Sequence, residues 1–407
     1  LLERDPSERW STPVVTDRVH DLAYHFHAAR DRRGFAYQLT SAELAFHAYA
    51  SEDAIEFLKR AEESLPAETS ETARYRLFER FATAHSRMRN FDIALQYYAE
   101  ADRCAPSRLA RAQTLLGVAR CYSAQGRFSD ATRNYDAVLQ QLGRERPGAL
   151  GAFLAVPSLA ASVFVVPIGW RRKTEHNRVA LMEQEVYAEM ANYLFDRDEP
   201  AIEYVYAVYK MATSGIRTGS RERASRGLTY LAAHLGQAAF PAVAKHLVKR
   251  ASKISEDRMD PEAEAFFLAS SATVKANCRE VTEADRLFRE AQPLMKRTGA
   301  HSFATMMAHM HRHLLAVTGS SSAEYQQAQE VLHYAQQTGD LRYQFYGHYD
   351  MASALSRAGE LSSAIRKIEQ AQACLGKERM LVSEAIFLAT HGYVLLQESE
   401  YQRAQQV

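Results

Sequence analysis

Residues 78–106 read FERFATAHSRMRNFDIALQYYAEADRCAP, and this stretch decides the fold of the chain. Its apolar side chains recur three and four residues apart, first around Phe81 and then around Ala94 and Tyr98, which is the spacing of two amphipathic helices. Pro106 closes the second run, because proline has no backbone N–H and its fixed φ ends a helix cleanly. The stretch therefore predicts two short helices that are joined by a tight turn.

The same pattern returns in residues 118–135 and 351–371, where a glycine marks the turn. Gly126 and Gly359 stand where the first helix of each pair must end. A residue at that position takes the left-handed conformation, which glycine adopts at little steric cost. We therefore expect an array of helix pairs, since a single core would be unusual in a chain of 407 residues.

A packing requirement gives a sharper test of the repeat. Where the two helices of a pair cross, both contact residues must be small so that the backbones can approach, and here they lie twelve residues apart. Such pairs recur in phase with the apolar pattern outside the central stretch: Ala42/Ala54, Ala82/Ala94, Ala119/Ala131, Ala272/Ala284, Ala316/Ala328, Ala352/Ala364 and Gly392/Ala404. Residues 179–214 and 220–254 are also helical by periodicity, but they have Glu189/Ala201 and Leu231/Val243 at the corresponding positions.

The composition limits the functions that the chain can have. Lys and Arg number 50 and Asp and Glu number 49, so there is no overall basic field that would draw the protein to nucleic acid or anionic lipid. The four cysteines form no C-x-x-C pair, which indicates single thiols in a reducing compartment. No signal peptide is visible, so we expect a cytoplasmic protein. The missing initial Met and a last repeat cut at Val407 predict a longer natural chain.

These motifs resemble the tetratricopeptide (TPR) repeat: a small residue and an aromatic around the turn, an alanine twelve residues on, and a closing proline. The resemblance covers residues 36–145 and 261–407 well and the middle of the chain weakly. It implies an all-α fold, an α-solenoid of antiparallel helix pairs in a right-handed superhelix. It also implies that the first helices line a concave face that holds a peptide or another domain.

The first 66 residues carry a narrower resemblance. The run from Arg18 to Asp31, followed by Ala36, Ala42 and the Asp53–Ala61 stretch, is similar to the junction in bacterial AAA/STAND signalling ATPases where the nucleotide-binding module ends and repeats begin. Such ATPases are fused to class III adenylate cyclases, serine/threonine kinases or helix-turn-helix transcription regulators. Residues 141–147, the apolar stretch after them and the following helix look most like the cyclase-linked branch. This implies a regulatory scaffold that couples a nucleotide switch to an effector. The alternative is a stand-alone TPR adaptor that binds a peptide or partner protein.

The chain is accordingly expected to have five segments. They are a helical junction at the tail of an upstream ATPase module (1–35), N-terminal TPR-like repeats (36–145), an apolar insertion containing Pro and Gly (146–175), divergent helical repeats (176–260) and C-terminal TPR-like repeats of which the last is truncated (261–407).

Motifs for catalysis or for cofactors are missing from the sequence. It has no phosphate-binding G-x-x-x-x-G-K-[ST] loop, no G-x-G-x-x-G, no G-x-S-x-G and no H-E-x-x-H. His309 and His313 share a helix face and could bind a soft or borderline metal, but no carboxylate or cysteine lies at ligand spacing along the sequence. We expect no catalytic residue, cofactor or metal in this segment; any ATPase or cyclase activity would lie outside it.

Residues 147–170 contain no charged side chain. Their length would allow a membrane span, but Pro157, Pro167 and several glycines would interrupt it. The pattern favours an irregular, buried insertion or an exposed apolar docking surface, with interfacial membrane contact as the alternative.

The positions that line the concave face in the TPR family are assigned here by register. They are Arg76, Glu79, Thr83, Arg87, Arg120, Tyr346, Tyr349, Ser353 and Arg357. Chaperone-binding members have Asn and Lys where this chain has Thr83, Arg120 and Ser353, so we do not expect a receptor for chaperone tails. The expected partner is a protein, a peptide or a neighbouring domain of the same chain, and not a nucleic acid. Arg217, Arg221, Arg223 and Arg226 are interpreted as a solvated helix face that could contact phosphate or an acidic partner.

Overall fold

The computed structural model describes residues 18–48, 50–65, 69–165, 175–194, 201–237, 240–254, 261–298, 301–374, 388–389 and 391–395. Within these ranges the chain consists of helices and turns without a strand. The helices are α1 (Val19–Ala28), α2 (Arg33–His47), α3 (Ser51–Glu63), α4 (Glu71–Arg87), α5 (Phe91–Arg103), α6 (Arg108–Ala124), α7 (Phe128–Gln141), α8 (Ala149–Val165), α9 (Glu175–Leu194), α10 (Ala201–Arg217), α11 (Arg221–Gln237), α12 (Pro241–Ile254), α13 (Pro261–Asn277), α14 (Val281–Thr298), α15 (His301–Thr318), α16 (Ser321–Thr338), α17 (Leu341–Arg357) and α18 (Leu361–Cys374).

The helices form two compact units. The first unit comprises Leu1–Cys121 and Arg133–Gly143, and the second comprises Tyr122–Thr132 and Arg144–Val407. Within each unit, helices that follow one another along the chain pack as antiparallel pairs, such as α2 with α3, α4 with α5, α13 with α14 and α17 with α18. This arrangement confirms the all-α solenoid that the repeat pattern predicts.

The small residues lie where the packing requirement puts them. Ala42, Ala54, Ala82 and Ala94 have no exposed surface in the first unit. The same holds in the second unit for both members of the pairs Ala272/Ala284 and Ala352/Ala364. Ala119 and Ala131 are also fully buried, Ala328 is buried beside a half-buried Ala316, and Ala404 lies outside the described residues.

The turns between paired helices use the left-handed conformation. Gly126 has a φ of 71° and Gly359 a φ of 82°, as the sequence predicts. Arg89 and Arg279 have the same conformation, with φ values of 64° and 62°. Each of these four residues lies seven positions after the small residue of its first helix, so the turn belongs to the repeat itself.

The central helices also have small residues where they cross, but these residues lie in a different register. Gly227 lies so close to α10 that an added Cβ would come 2.9 Å from the Cα atom of Ala212, and a Cβ on Gly215 would come 2.6 Å from the carbonyl oxygen of Arg223. Ala232 of α11 and Ala244 of α12 are both fully buried, and each lies one position after a member of the pair Leu231/Val243. The sequence register missed these contacts because leucine and alanine both suit the apolar face of a helix.

The apolar insertion is a regular helix over much of its length. Residues 149–165 form α8 with Pro157 inside it, so the interpretation of an irregular, buried insertion is wrong for this part. Its other residues are compatible with a helix, and one proline removes one backbone hydrogen bond without ending it. Residues 166–174 lie outside the described ranges.

Candidate functional site

In the first unit, side chains of the first helices α2, α4 and α6 are bonded to one another. Arg80 of α4 donates from Nε to Oε1 of Glu43 in α2 at 2.7 Å, and its Nη1 lies 3.4 Å from Oε2 of Glu79. Gln113 of α6 donates from Nε2 to Oε1 of the same Glu79 at 3.2 Å. Three successive first helices therefore share one polar face. We call it the first-helix face, and it comprises Glu43, Arg76, Glu79, Arg80, Thr83, Arg87, Gln113 and Arg120.

The five predicted residues of this unit differ in exposure. Arg76, Arg87 and Arg120 are exposed, whereas Glu79 keeps only 7% of its surface. The half-buried Thr83 donates to Glu79 at 3.2 Å. Glu79 thus orders its neighbours within the face, and the arginines are the side chains that a partner can reach.

Arg87 is held in place by the preceding repeat. Its Nη1 donates to the carbonyl oxygen of Phe46 at 3.2 Å, and the guanidinium group lies 5.2 Å from the centre of the Phe46 ring. A cation above an aromatic face is attracted by the ring quadrupole. The exposed charge of Arg87 is therefore pre-positioned.

Tyr98 reaches from α5 into the space behind this face. Burial raises the pKa of its phenol, and its side chain is hydrogen-bonded to Thr83. Gly117 of α6 makes room for the ring, because an added Cβ would lie 2.2 Å from Cζ of Tyr98. Tyr75 is similarly enclosed: it donates to the carbonyl oxygen of Ala110 at 3.0 Å, and burial raises its pKa to about 12. These aromatic side chains belong to the core of the unit.

In the second unit, the four residues predicted on α17 make contacts within the protein. Tyr346 is 9% exposed and its ring stacks on that of His309, with centroids 4.6 Å apart. Tyr349 stacks on Phe345. Ser353 accepts a hydrogen bond from Nη1 of Arg357 at 3.0 Å, and Arg357 forms an ion pair with Glu324 of α16. Tyr346 is therefore buried between helices, whereas Arg357 remains exposed.

Sequence reasoning missed a buried ionic network among α15, α16 and α17. Nη2 of Arg312 lies 2.8 Å from Oδ1 of Asp350, and its Nη1 lies 3.2 Å from Oε1 of Glu324. Nδ1 of His309 lies 2.9 Å from Oδ2 of Asp350. The side chains of Asp350 and Glu324 have no exposed surface and that of Arg312 retains 5%. Each of these helices carries a charged residue on its apolar face, and this pattern is the sequence feature that could have indicated the buried network.

The histidine side chains of α15 make contacts with other residues of the protein. Nε2 of His313 approaches Nε2 of His309 at 3.1 Å, and Nε2 of His311 lies 2.9 Å from Oδ1 of Asp285. The ring of His311 also stacks on Phe288. Among the described residues, no cluster of three or more His, Cys, Asp or Glu side chains has the arrangement of a metal site.

The predicted arginine cluster is divided among different neighbours. Arg217 lies 4.0 Å from Glu183, a buried carboxylate that also contacts Lys210 at 3.0 Å and Arg144 at 4.0 Å. Arg223 pairs with a different carboxylate, that of Glu185, and the guanidinium group of Arg226 lies over the Phe266 ring at 4.8 Å. Arg217, Arg223 and Arg226 therefore contact three different groups.

One side of α8 is apolar and exposed. The large side chains on it are Leu150, Phe153, Leu154, Phe164 and Val165, while Ala152 and Val163 are buried on the other side. In the described part of the chain, none of the helices combines the length and hydropathy required to span a bilayer.

Comparison with known proteins identifies the fold. No family model and no curated protein matches the chain. Among solved structures, it is similar to the Rap protein complexed with Competence and Sporulation Factor, with a TM-score of 0.50, 12% identity and coverage of 91% of this chain and 94% of that one. It is also similar to the human IFIT1 dimer with m7Gppp-AAAA, with a TM-score of 0.50, 11% identity and coverage of 97% and 81%. The helix pairs and these likenesses together make the chain a TPR-like α-solenoid.

Proposed function

We propose that this chain is an interaction scaffold that binds a polypeptide partner on the first-helix face of its first unit. The observation that carries the proposal is the set of exposed arginines, Arg76, Arg87 and Arg120, on a face whose other polar side chains are bonded to one another across α2, α4 and α6. Arginine is enriched among residues that dominate binding energy. Side chains that are already ordered also lose little entropy when a partner binds.

The proposal is for binding without catalysis in these residues. The buried carboxylates of the second unit, Glu183, Glu324 and Asp350, each face one or more cations within the protein. Such pairing suits a structural role, whereas a catalytic acid or base needs a proton that the substrate can reach.

We further propose that the scaffold acts as the regulatory array of a cytoplasmic, multidomain signalling ATPase and couples a nucleotide switch to an effector such as an adenylate or guanylate cyclase. The support is the similarity of residues 18–66 and 141–147 to such proteins. A helical array with contacts mainly between neighbours can change curvature at modest cost. A stand-alone adaptor is the competing function.

Selection from a random peptide library tests the binding proposal directly. The intact 407-residue chain serves as bait, and the affinity of each selected peptide is then measured for wild type, Arg76→Ala and Arg120→Ala. Arg103→Ala on α5 is the matched control, since its side chain is 71% exposed and lies on a second helix. We expect both face variants to weaken binding by about fivefold or more while the control does not. Selected peptides that bind all four proteins equally would refute the proposal.

The wider context has its own test. The full reading frame around this segment, together with the intact mass of the native product, should reveal a phosphate-binding ATPase before Leu1 and a cyclase, kinase or DNA-binding domain at either end. A frame that closes close to both ends of this segment would favour the stand-alone adaptor.

A further inference from the structure

A stripe of mostly apolar side chains runs along the exposed side of α8. Its members follow one another in steps of three and four residues, which places them on one face of the helix. They are Leu150, Phe153, Leu154, Pro157, Ser158, Ala161, Phe164 and Val165, and all are exposed. We call this set the α8 stripe. Because α8 contains no charged side chain, the stripe is also uncharged.

The helix that carries the α8 stripe is fixed to the second unit. It packs against α10, and its residues Ala152 and Val163 are buried. Arg250 of α12 donates a hydrogen bond to the carbonyl oxygen of Val163 near the end of the helix. The centre of the Phe164 ring lies 6.2 Å from that of His246. A helix held in this way loses little further freedom when its exposed side is covered.

The area of the α8 stripe is sufficient for a specific interface when two copies meet. Its five large side chains, Leu150, Phe153, Leu154, Phe164 and Val165, expose between 45% and 77% of their surface. At about 200 Å² for each large side chain, they expose roughly 600 Å² in total. This is the upper end of the largest apolar patch on a typical monomer. Two such stripes together would bury roughly 1,200 Å², which reaches the range of specific protein–protein interfaces.

Charge favours a second copy of this chain as the occupant. Two uncharged stripes can meet without opposing like charges and without burying an unpaired charge. The basic residues just before α8 already face carboxylates of the same unit. Arg146 lies 2.7 Å from Glu203, and Arg144 lies 4.0 Å from Glu183. These two arginines therefore offer little attraction to an acidic partner or to anionic lipid headgroups.

The order of large and small side chains suits antiparallel packing of the stripe on itself. The large side chains lie toward the two ends of α8, whereas Ser158 and Ala161 lie between them. A two-fold axis beside Ser158 would bring the start of one helix against the end of the other, as an isologous dimer requires. The small residues would let the two backbones approach where the helices cross. A bilayer surface would gain from large side chains along the whole stripe and does not account for this order.

We propose that two copies of this chain associate as a symmetric dimer through the α8 stripe, with the two α8 helices antiparallel and crossing near Ser158. This surface is distinct from the first-helix face of the first unit, and dimerisation is independent of partner binding there.

Sedimentation velocity of the intact chain tests the dimer. Samples between about 1 and 100 μM cover the range in which an interface of this size associates. Wild type should convert from monomer to dimer as its concentration rises. Leu154→Glu should raise the dissociation constant about tenfold or more, because each copy would then bury an unpaired charge. Val317→Glu is the matched control: Val317 is 80% exposed on α15, outside the stripe, so this variant should dimerise like wild type.

Oxidative crosslinking locates the contact. Residue 158 of one copy should lie beside residue 158 of the other, so Ser158→Cys should form a disulfide-linked dimer. Wild type, with its own four cysteines, gives the background. Val317→Cys should stay at that background level. Circular dichroism melting of each variant establishes that it is folded.

Three outcomes would overturn the dimer. The first is a wild-type chain that stays monomeric over the whole concentration range. The second is an unchanged dissociation constant in Leu154→Glu, which would place the contact elsewhere. The third concerns lipid: Arg171, Arg172 and Lys173 follow the helix in sequence, so flotation with vesicles that contain phosphatidylserine is measured as well. Binding of monomeric wild type to these vesicles, with loss of binding in Leu154→Glu, would assign the stripe to a membrane surface.

Discussion

The charge of Arg312 is neutralised inside the protein, and its removal should be costly. Arg312→Ala would leave Asp350 and Glu324 buried with part of their compensation lost, although Arg357 still pairs with Glu324. Breaking a buried ion pair from one side costs about 3–5 kcal/mol. We therefore expect a large fall in the urea midpoint. Arg286→Ala, which removes exposed ion pairs on α14, should shift it little. Equal shifts of the urea midpoint in the two variants would contradict an ionic network that is shielded from water.

His234 should make the stability of the second unit sensitive to acid. It contacts the hydroxyl group of Tyr204, and burial lowers its pKa from 6.5 to about 4. Below about pH 6.5 the unfolded chain binds a proton that the folded chain excludes, so stability is complete above that pH and falls as the pH drops toward 4. At low pH, this group lowers the free energy of unfolding by at most about 3 kcal/mol.

His234→Gln isolates this contribution. Burial lowers the pKa of His311 and His348 in the same direction, so the wild-type pH profile contains several contributions. The variant should therefore show a smaller decrease in thermal midpoint between pH 7 and pH 4.5 than wild type. Parallel profiles would show that His234 is protonated as readily in the folded state as in the unfolded one.

Individual residues could be predicted from the sequence only where the repeat register determines their position. The register gave Arg76, Arg87 and Arg120 as candidate lining residues, and they are exposed in the structure. It could not give the burial of Glu79, which depends on Gln113 34 positions later. It also could not bring His309 to Asp350, 41 positions away. Polar contacts across repeats depend on how side chains of different helices meet, and periodicity within one helix carries no such information.

Among the structural elements, the turns between paired helices contain avoidable strain. Arg279 has a φ of 62°, where a side chain with a Cβ is disfavoured by about 1–2 kcal/mol. Arg279→Gly should stabilise the protein by about 0.5–1 kcal/mol, because part of the gain is offset by the greater freedom of glycine in the unfolded chain. The reciprocal change Gly359→Ala, at a φ of 82°, should lower the urea midpoint of unfolding. A lower midpoint for Arg279→Gly would mean that its side chain stabilises the turn.

The crossing of α10 and α11 requires a glycine. A methyl group on Gly227 would come within 2.9 Å of the Cα atom of Ala212, so the helices would have to separate. Overpacking of this kind costs about 1–3 kcal/mol. That cost should exceed the roughly 1 kcal/mol that alanine gains over glycine in a helix. Gly227→Ala is therefore expected to unfold at lower urea than wild type, whereas Gly148→Ala, which meets no atom within 4 Å, should not.

At the scale of the whole molecule, the sequence was most informative about what repeats. Seven pairs of small residues in phase predicted the solenoid, because each repeat must solve the same packing problem. The central helices have Gly215, Gly227, Ala232 and Ala244 in another register, so the register of the other repeats does not predict these positions.

Contacts in a repeat array are mainly between neighbouring helices. A substitution in the core of one repeat should therefore destabilise the helices near it more than distant helices. Leu58 is fully buried in a cluster with Phe46, Leu77 and Phe81, and Leu58→Ala should cost about 2–5 kcal/mol locally. Hydrogen exchange should then show lower protection in α2–α4 and unchanged protection in α13–α15. The reciprocal variant Phe288→Ala, in the cluster of α13–α15, should invert the pattern. A uniform loss of protection in either variant would mean that the whole chain unfolds as one cooperative body, because neighbour-only coupling cannot transmit the full loss to distant helices.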